Sequence, residues 1–161
     1  MPNLHDPEFD EDRDVEGFRS RRARIGYQLG TERLGISLWE VGPGQAAYPY
    51  HFHLAEEEVL VVISGSAVLR SPQGRAVLGP GDVVRFEVGP NGAHQLLNEG
   101  EEPVRFLALS THGQPDVVIY PDSGKLGAAE RLPRGGGVRH FFRIEDEVDY
   151  YDGEDPGRSE S

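Results

Sequence analysis

The chain predicts an all-β domain of the sandwich or barrel kind. Short runs rich in Val, Ile, Leu and aromatic residues recur between Gly and Pro punctuation, which is the pattern of many strands joined by tight turns. The 21 Gly and 12 Pro among 161 residues exceed an ordinary share, and no long amphipathic helix pattern interrupts the runs. A chain of this length is expected to form one domain, large enough to bury a core unaided.

Taken in order, the strand-like runs are residues 24–30, 35–42, 46–53, 58–65, 66–72, 75–81, 83–88, 93–100, 104–111 and 116–123. Ser71-Pro72-Gln73-Gly74 reads as a hairpin loop, and Gly79-Pro80-Gly81-Asp82 supplies a fixed φ beside positions that tolerate positive φ. Residues 98–103 form a further polar turn, after which 104–111 is apolar enough for a buried strand. Residues 122–137 read as loop, with at most one helical turn around Gly127 to Arg131. No internal repeat is visible.

Charge is concentrated at the two ends. Residues 1–20 carry seven acidic and two basic side chains, residues 145–161 carry eight and one, and together they account for the whole net charge of −12. The middle is formally neutral. A nucleic-acid binder needs a surplus of Lys and Arg on one face to displace counterions, so nucleic acid is set aside as a partner. The absence of Cys excludes disulfides, thiolate ligands and a cysteine nucleophile. No secretory leader pattern opens the chain and no apolar run has membrane-spanning length, so a cytoplasmic protein without membrane association is expected.

Two readings of the ends follow. As solvated tails, residues 1–16 and 152–161 keep the protein soluble. Alternatively parts of them dock, because Phe18, Phe141, Phe142, Ile144, Val148, Tyr150 and Tyr151 are more apolar than a free tail needs. Arg21, Arg22, Arg24, Arg131, Arg134, Arg139 and Arg143 would then meet the acidic stretches.

The chemistry-bearing residues are His51, His53, Glu58 and His94. Side chains two apart on a strand share a face, so His51 and His53 can reach one ion while Phe52 turns away. Glu56, Glu57 and Glu58 are consecutive; Glu58 shares its parity with Leu60 and Val62 and is chosen over Glu57. Three neutral imidazoles and one carboxylate suit a divalent transition metal such as Fe, Mn, Ni or Zn. Gln95, Asn98 and Tyr50 are candidates to orient the ligands, and Trp39, Tyr48, Phe86, Leu96, Leu107 and Leu109 to line the cavity. Arg85 or Arg105 would receive an anionic substrate if either faced inward. No G-x-S-x-G elbow or phosphate-cradling loop is present.

These residues resemble the two motifs of the cupins. Gly44, His51, His53, Glu58 and Gly65 match the first, with one spacer a residue longer; Gly81, Gly89, His94 and Asn98 fit the second, with Glu87 in the Pro position and Pro90 and Asn91 inserted before Gly92. The inserted residues lengthen the hairpin that carries His94. The resemblance spans roughly residues 35–115 and is to single-domain bacterial cupins. It implies a double-stranded β-helix, or jelly-roll, barrel over residues 21–125, with an acidic segment 1–20 and an acidic, partly disordered extension 126–161. It also implies one metal, a small-molecule ligand or substrate, and a homodimer. Among activities it implies dioxygenation first and sugar or sugar-phosphate isomerisation second, with a non-catalytic ligand-binding or regulatory role as the alternative. No catalytic residue beyond the metal ligands is assigned.

Overall fold

A computed structural model describes residues 1–113, 115–130 and 137–157. Thirteen strands among these residues fall into three antiparallel sheets. Glu11–Arg13 (β1), Ser20–Ala23 (β2), Leu34–Val41 (β3), Glu58–Ser64 (β5), Val83–Phe86 (β8) and Val104–Thr111 (β10) form the largest, in the order β1-β2-β3-β10-β5-β8. Ala67–Ser71 (β6) lies between Gly74–Leu78 (β7) and Gln95–Leu97 (β9), while Phe52–His53 (β4), Asp116–Tyr120 (β11), Lys125–Ala129 (β12) and Arg139–Arg143 (β13) make the third, in the order β13-β12-β11-β4. Crossovers between strands distant in sequence are those of a jelly roll.

Period-2 alternation in the largest sheet separates two apolar cores. Trp39 and Val41 of β3, Leu60 and Val62 of β5, and Val104 and Phe106 of β10 point inward and pack with Leu69, Leu78, Phe86 and Leu96. Leu38 faces the other way and is buried by Ala23 and Ile25, with Leu4, Phe9, Ile36, Ile63 and Leu107 packed around them. The acidic start of the chain is therefore docked through at least its apolar residues, and β1 pairs with β2 along Glu11↔Arg22, Asp12↔Arg21 and Arg13↔Ser20. Ion pairs Arg21–Asp12, Arg22–Glu11 and Arg24–Asp10 accompany it. Reading residues 1–16 as a solvated tail is corrected. Toward the other end, Tyr150 and Tyr151 stay exposed and Phe141 and Phe142 lie on β13; Arg131 and Arg134 are outside the described residues.

Three local expectations are also corrected. Residues 24–30 were expected as a strand, but Ile25–Leu29 is a short helix (α1) closed by Gly30 at φ 71°, a left-handed position that glycine takes without steric penalty. A short apolar run does not distinguish helix from strand by periodicity. In 46–53, regular pairing is confined to β4, with isolated bridges Ala46↔Leu97 and His51↔His94, since Pro49 lacks the N–H a ladder requires. The helical turn expected near Gly127 is instead β12, paired with β11 on one side and β13 on the other. Its Gly and Ala residues have little strand preference of their own, and two neighbouring strands override it.

Candidate metal centre

The four singled-out side chains meet at one place. His51 and His53 enter from β4 and the residue before it, Glu58 from the first position of β5, and His94 from the segment leading into β9. Donor atoms of His51, His53 and Glu58 lie within 4.8 Å of one another. Glu58 Oε2 stands 3.3 Å from His53 Nε2 and 3.3 Å from His94 Nε2. The His51 ring centre is 4.9 Å from that of His53 and 4.7 Å from that of His94. All three imidazoles are buried.

The two-residue insertion ahead of His94 is absorbed locally. Pro90–Gly92 turns as a short 3-10 segment, Gly89 N–H donates to His53 O, and His51 and His94 exchange backbone hydrogen bonds at 3.1 and 2.8 Å. A Cβ on Gly92 would sit 1.8 Å from Glu87 O, so this tight return admits only glycine. The insertion leaves His94 beside its partners.

Each ring is held by its outer nitrogen. His51 Nδ1 donates to Pro49 O at 2.8 Å and His94 Nδ1 to Gly92 O at 2.9 Å. A carbonyl oxygen only accepts, so those rings carry the proton on Nδ1 and present the Nε2 lone pair inward. His53 Nδ1 is 2.6 Å from Asp116 Oδ2, a charge-assisted contact that favours the same tautomer. Aromatic rings fix the planes: Phe86 stacks on His94 at 3.7 Å, Tyr120 on His51 at 5.9 Å, and Tyr48 meets His51 edge-on at 4.9 Å. Burial pulls the His94 imidazole below its ordinary pKa, partly opposed by Glu58, so it is neutral and able to donate a lone pair. Burial, reinforced by Glu58, pushes the Tyr48 phenol well up and keeps it protonated.

Glu57 points outward and pairs with Arg85 at 2.6 Å, whereas Glu58 faces the imidazoles. Oε2 of Glu58 is buried and makes no hydrogen bond among the described residues. Three inward lone pairs converging on such an oxygen form a donor set that a divalent transition ion would satisfy.

The expected supporting residues are elsewhere. Gln95 donates to Tyr48 O, Asn98 donates to Val41 O and Glu102 O, and Tyr50 lies under the Arg70 guanidinium. Asp116, fully buried, and Glu56, 1 % exposed, stand behind His53 instead, their donor atoms within 4.8 Å of one another and of His53. Neither lines the cavity. Asp116 left one trace in the sequence: it opens an alternating strand on the face that also carries buried Val118, whose register partner is His53.

Above the four side chains opens a cavity of about 840 Å³, bordered by Trp39, Tyr48, Phe86 and Leu109 as expected. Leu96 is instead in the inner core and Leu107 on the outer face of the large sheet. Arg85 is spent on Glu57 and Arg105 on Glu40, so neither reaches inward.

A family model described as a cupin domain matches residues 37–110. A solved protein of Acidithiobacillus ferrooxidans, provisionally named a sugar phosphate isomerase, is 28% identical with a TM-score of 0.72, covering 83% of this chain and 81% of its own. A structure from Silicibacter pomeroyi named a sugar phosphate isomerase from a cupin superfamily is 23% identical with a TM-score of 0.78, covering 94% and 98%. A polyketide cyclase of Streptomyces resistomycificus is 22% identical with a TM-score of 0.59, covering 72% and 82%. No curated protein matches the chain. No described helix is long and apolar enough to cross a membrane.

Proposed function

We propose that this chain, which carries a cupin domain over residues 37–110, binds one divalent transition metal through His51, His53, Glu58 and His94 and acts on a small oxygen-bearing molecule in the cavity above them. The observation that carries this is the convergence of three oriented imidazoles on a buried carboxylate oxygen at the floor of an open cavity. A bound ion of this kind supplies Lewis acidity at a carbonyl or hydroxyl oxygen. The chain itself does the rest: Nδ1 anchors hold the rings, Tyr48 and Phe86 exclude water from the floor, and Asp116 fixes His53.

Among reactions, isomerisation of a sugar or sugar phosphate stands ahead of dioxygenation, because the 28% identical structure, similar over most of both chains, bears an isomerase name. Dioxygenation is the second reading, since imidazole and carboxylate donors of this kind would also hold iron. Self-association as a homodimer belongs to the same proposal and is tested by size in solution at two concentrations. Metal analysis of untagged protein, then aldose–ketose interconversion assays beside oxygen-uptake assays of the iron form, separates the two reactions. Stoichiometric metal with turnover in the first assay supports isomerisation; oxygen uptake supports the second reading. A function that survives His94→Ala would leave a non-catalytic binding role.

A further inference from the structure

We propose that Lys125 forms an anion subsite in the cavity, where it receives a phosphate or carboxylate group of the ligand whose oxygen atoms meet the His/Glu floor. This rests on the reading of the cavity as the ligand site and narrows the ligand to a small anionic molecule.

The cavity wall carries several positive charges. Arg13 and Arg22 share Glu11 at 3.4 and 3.5 Å, and Arg24 holds Asp10 at 3.2 Å. Each of those three guanidiniums is ion-paired with one of two carboxylates of the docked acidic segment. Lys125 also lines the cavity, but its contact is aromatic: Nζ lies 5.3 Å from the centre of the Tyr120 ring, and it forms no ion pair among the described residues.

Register places this ammonium on the same cavity wall as Tyr120. Tyr120 and Lys125 are cross-strand partners at the turn between β11 and β12, and Gly124 makes that turn possible with φ 57°. Tyr120 in turn stacks on His51 at 5.9 Å, so one ring adjoins both the ammonium and the imidazole cluster. Phe141 extends the same wall, 6.0 Å from Tyr120 and packed over Gly127. Arg139 sits at the far end of the hairpin, opposite Ala129, stacked on Phe141 at 5.1 Å. A half-buried charge without a counter-carboxylate, beside apolar rings, attracts an anion more strongly than the same charge on an open surface. Lysine acts here as a point charge, which accommodates either phosphate or carboxylate.

The test uses the full chain, with and without chelator treatment, titrated calorimetrically with inorganic phosphate and separately with malonate. The expected result is binding of at least one of the two anions that weakens about tenfold or more in Lys125→Gln, is largely kept in Lys125→Arg, and shows the same dependence on Lys125 whether or not metal is present. Which anion binds identifies the group. Binding that is indifferent to Lys125→Gln, binding that appears only with metal and ignores Lys125, or no binding of either anion would overturn the subsite. Absence of stoichiometric metal with the Lys125 dependence intact would instead sink the functional reading alone. Lys125 is on the cavity surface and outside both cores, and an unchanged thermal midpoint for Lys125→Gln checks that the variant is folded.

Discussion

The floor and the rim of the cavity are built on opposite principles. On the floor, His51, His53 and His94 are buried and fixed by Nδ1 contacts to Pro49 O, Asp116 and Gly92 O, so each inward nitrogen is held in place before any ligand arrives. At the rim, Arg13, Arg22 and Arg24 are partly exposed and tied to carboxylates of the first residues of the chain. Rigid neutral donors suit coordination, while solvated charges suit selection of what enters. The difference teaches that the donor set is positioned by the barrel strands, while the charges above it are balanced by a segment laid over them.

That contrast can be broken most severely from beneath. Phe106 is fully buried, stacks against Trp39 and touches Tyr48 edge-on, so Phe106→Ala should destabilise the chain by about 3–5 kcal/mol. Denaturant unfolding measures this; a loss below about 1 kcal/mol would mean that the floor does not depend on the inner core. Next, Asp116→Asn should weaken metal affinity roughly 10–100-fold, because the amide no longer supplies a carboxylate to the His53 Nδ1 proton. Competition with a chromogenic chelator reads the change, and equal affinities for variant and parent would remove Asp116 from the site.

On the outer surface the effects should be smaller. Arg70 pairs with Asp122 at 2.6 Å on the surface and, by hydrogen bonding, holds the Asp122 carboxyl below its usual range. A carboxyl depressed by folding contributes stability above its unfolded pKa and loses it as pH falls through the folded value. Asp122→Asn should therefore lower stability at neutral pH by less than ~1 kcal/mol, an exposed pair being screened by solvent, and the difference should vanish in acid. Thermal midpoints at neutral and acidic pH check it. A pH-independent difference would point to packing instead of charge.

How much was legible follows the same division. His51 and His53 lie two apart, so strand parity places them on one face, and Glu58 against Glu57 is decided by its parity with Leu60 and Val62 on the next strand. His94 joined them through motif spacing. Asp116 was missed because it meets His53 across a sequence separation of 63 residues, which periodicity does not register. Lys125 lies in a stretch whose sequence reads as loop, since the strand around it is largely Gly and Ala and exists through its neighbours. The docked start was balanced between two readings because acidic composition resembles a tail, while Leu4 and Phe9, which do the packing, are two apolar residues among many charges.

Metal titration of the untagged full chain beside His94→Ala tests the central claim most directly. One divalent ion per chain is expected, with affinity lost by orders of magnitude in the variant while its fold, read by circular dichroism, is retained. An ion bound equally well by both proteins, or none bound by either, would contradict it.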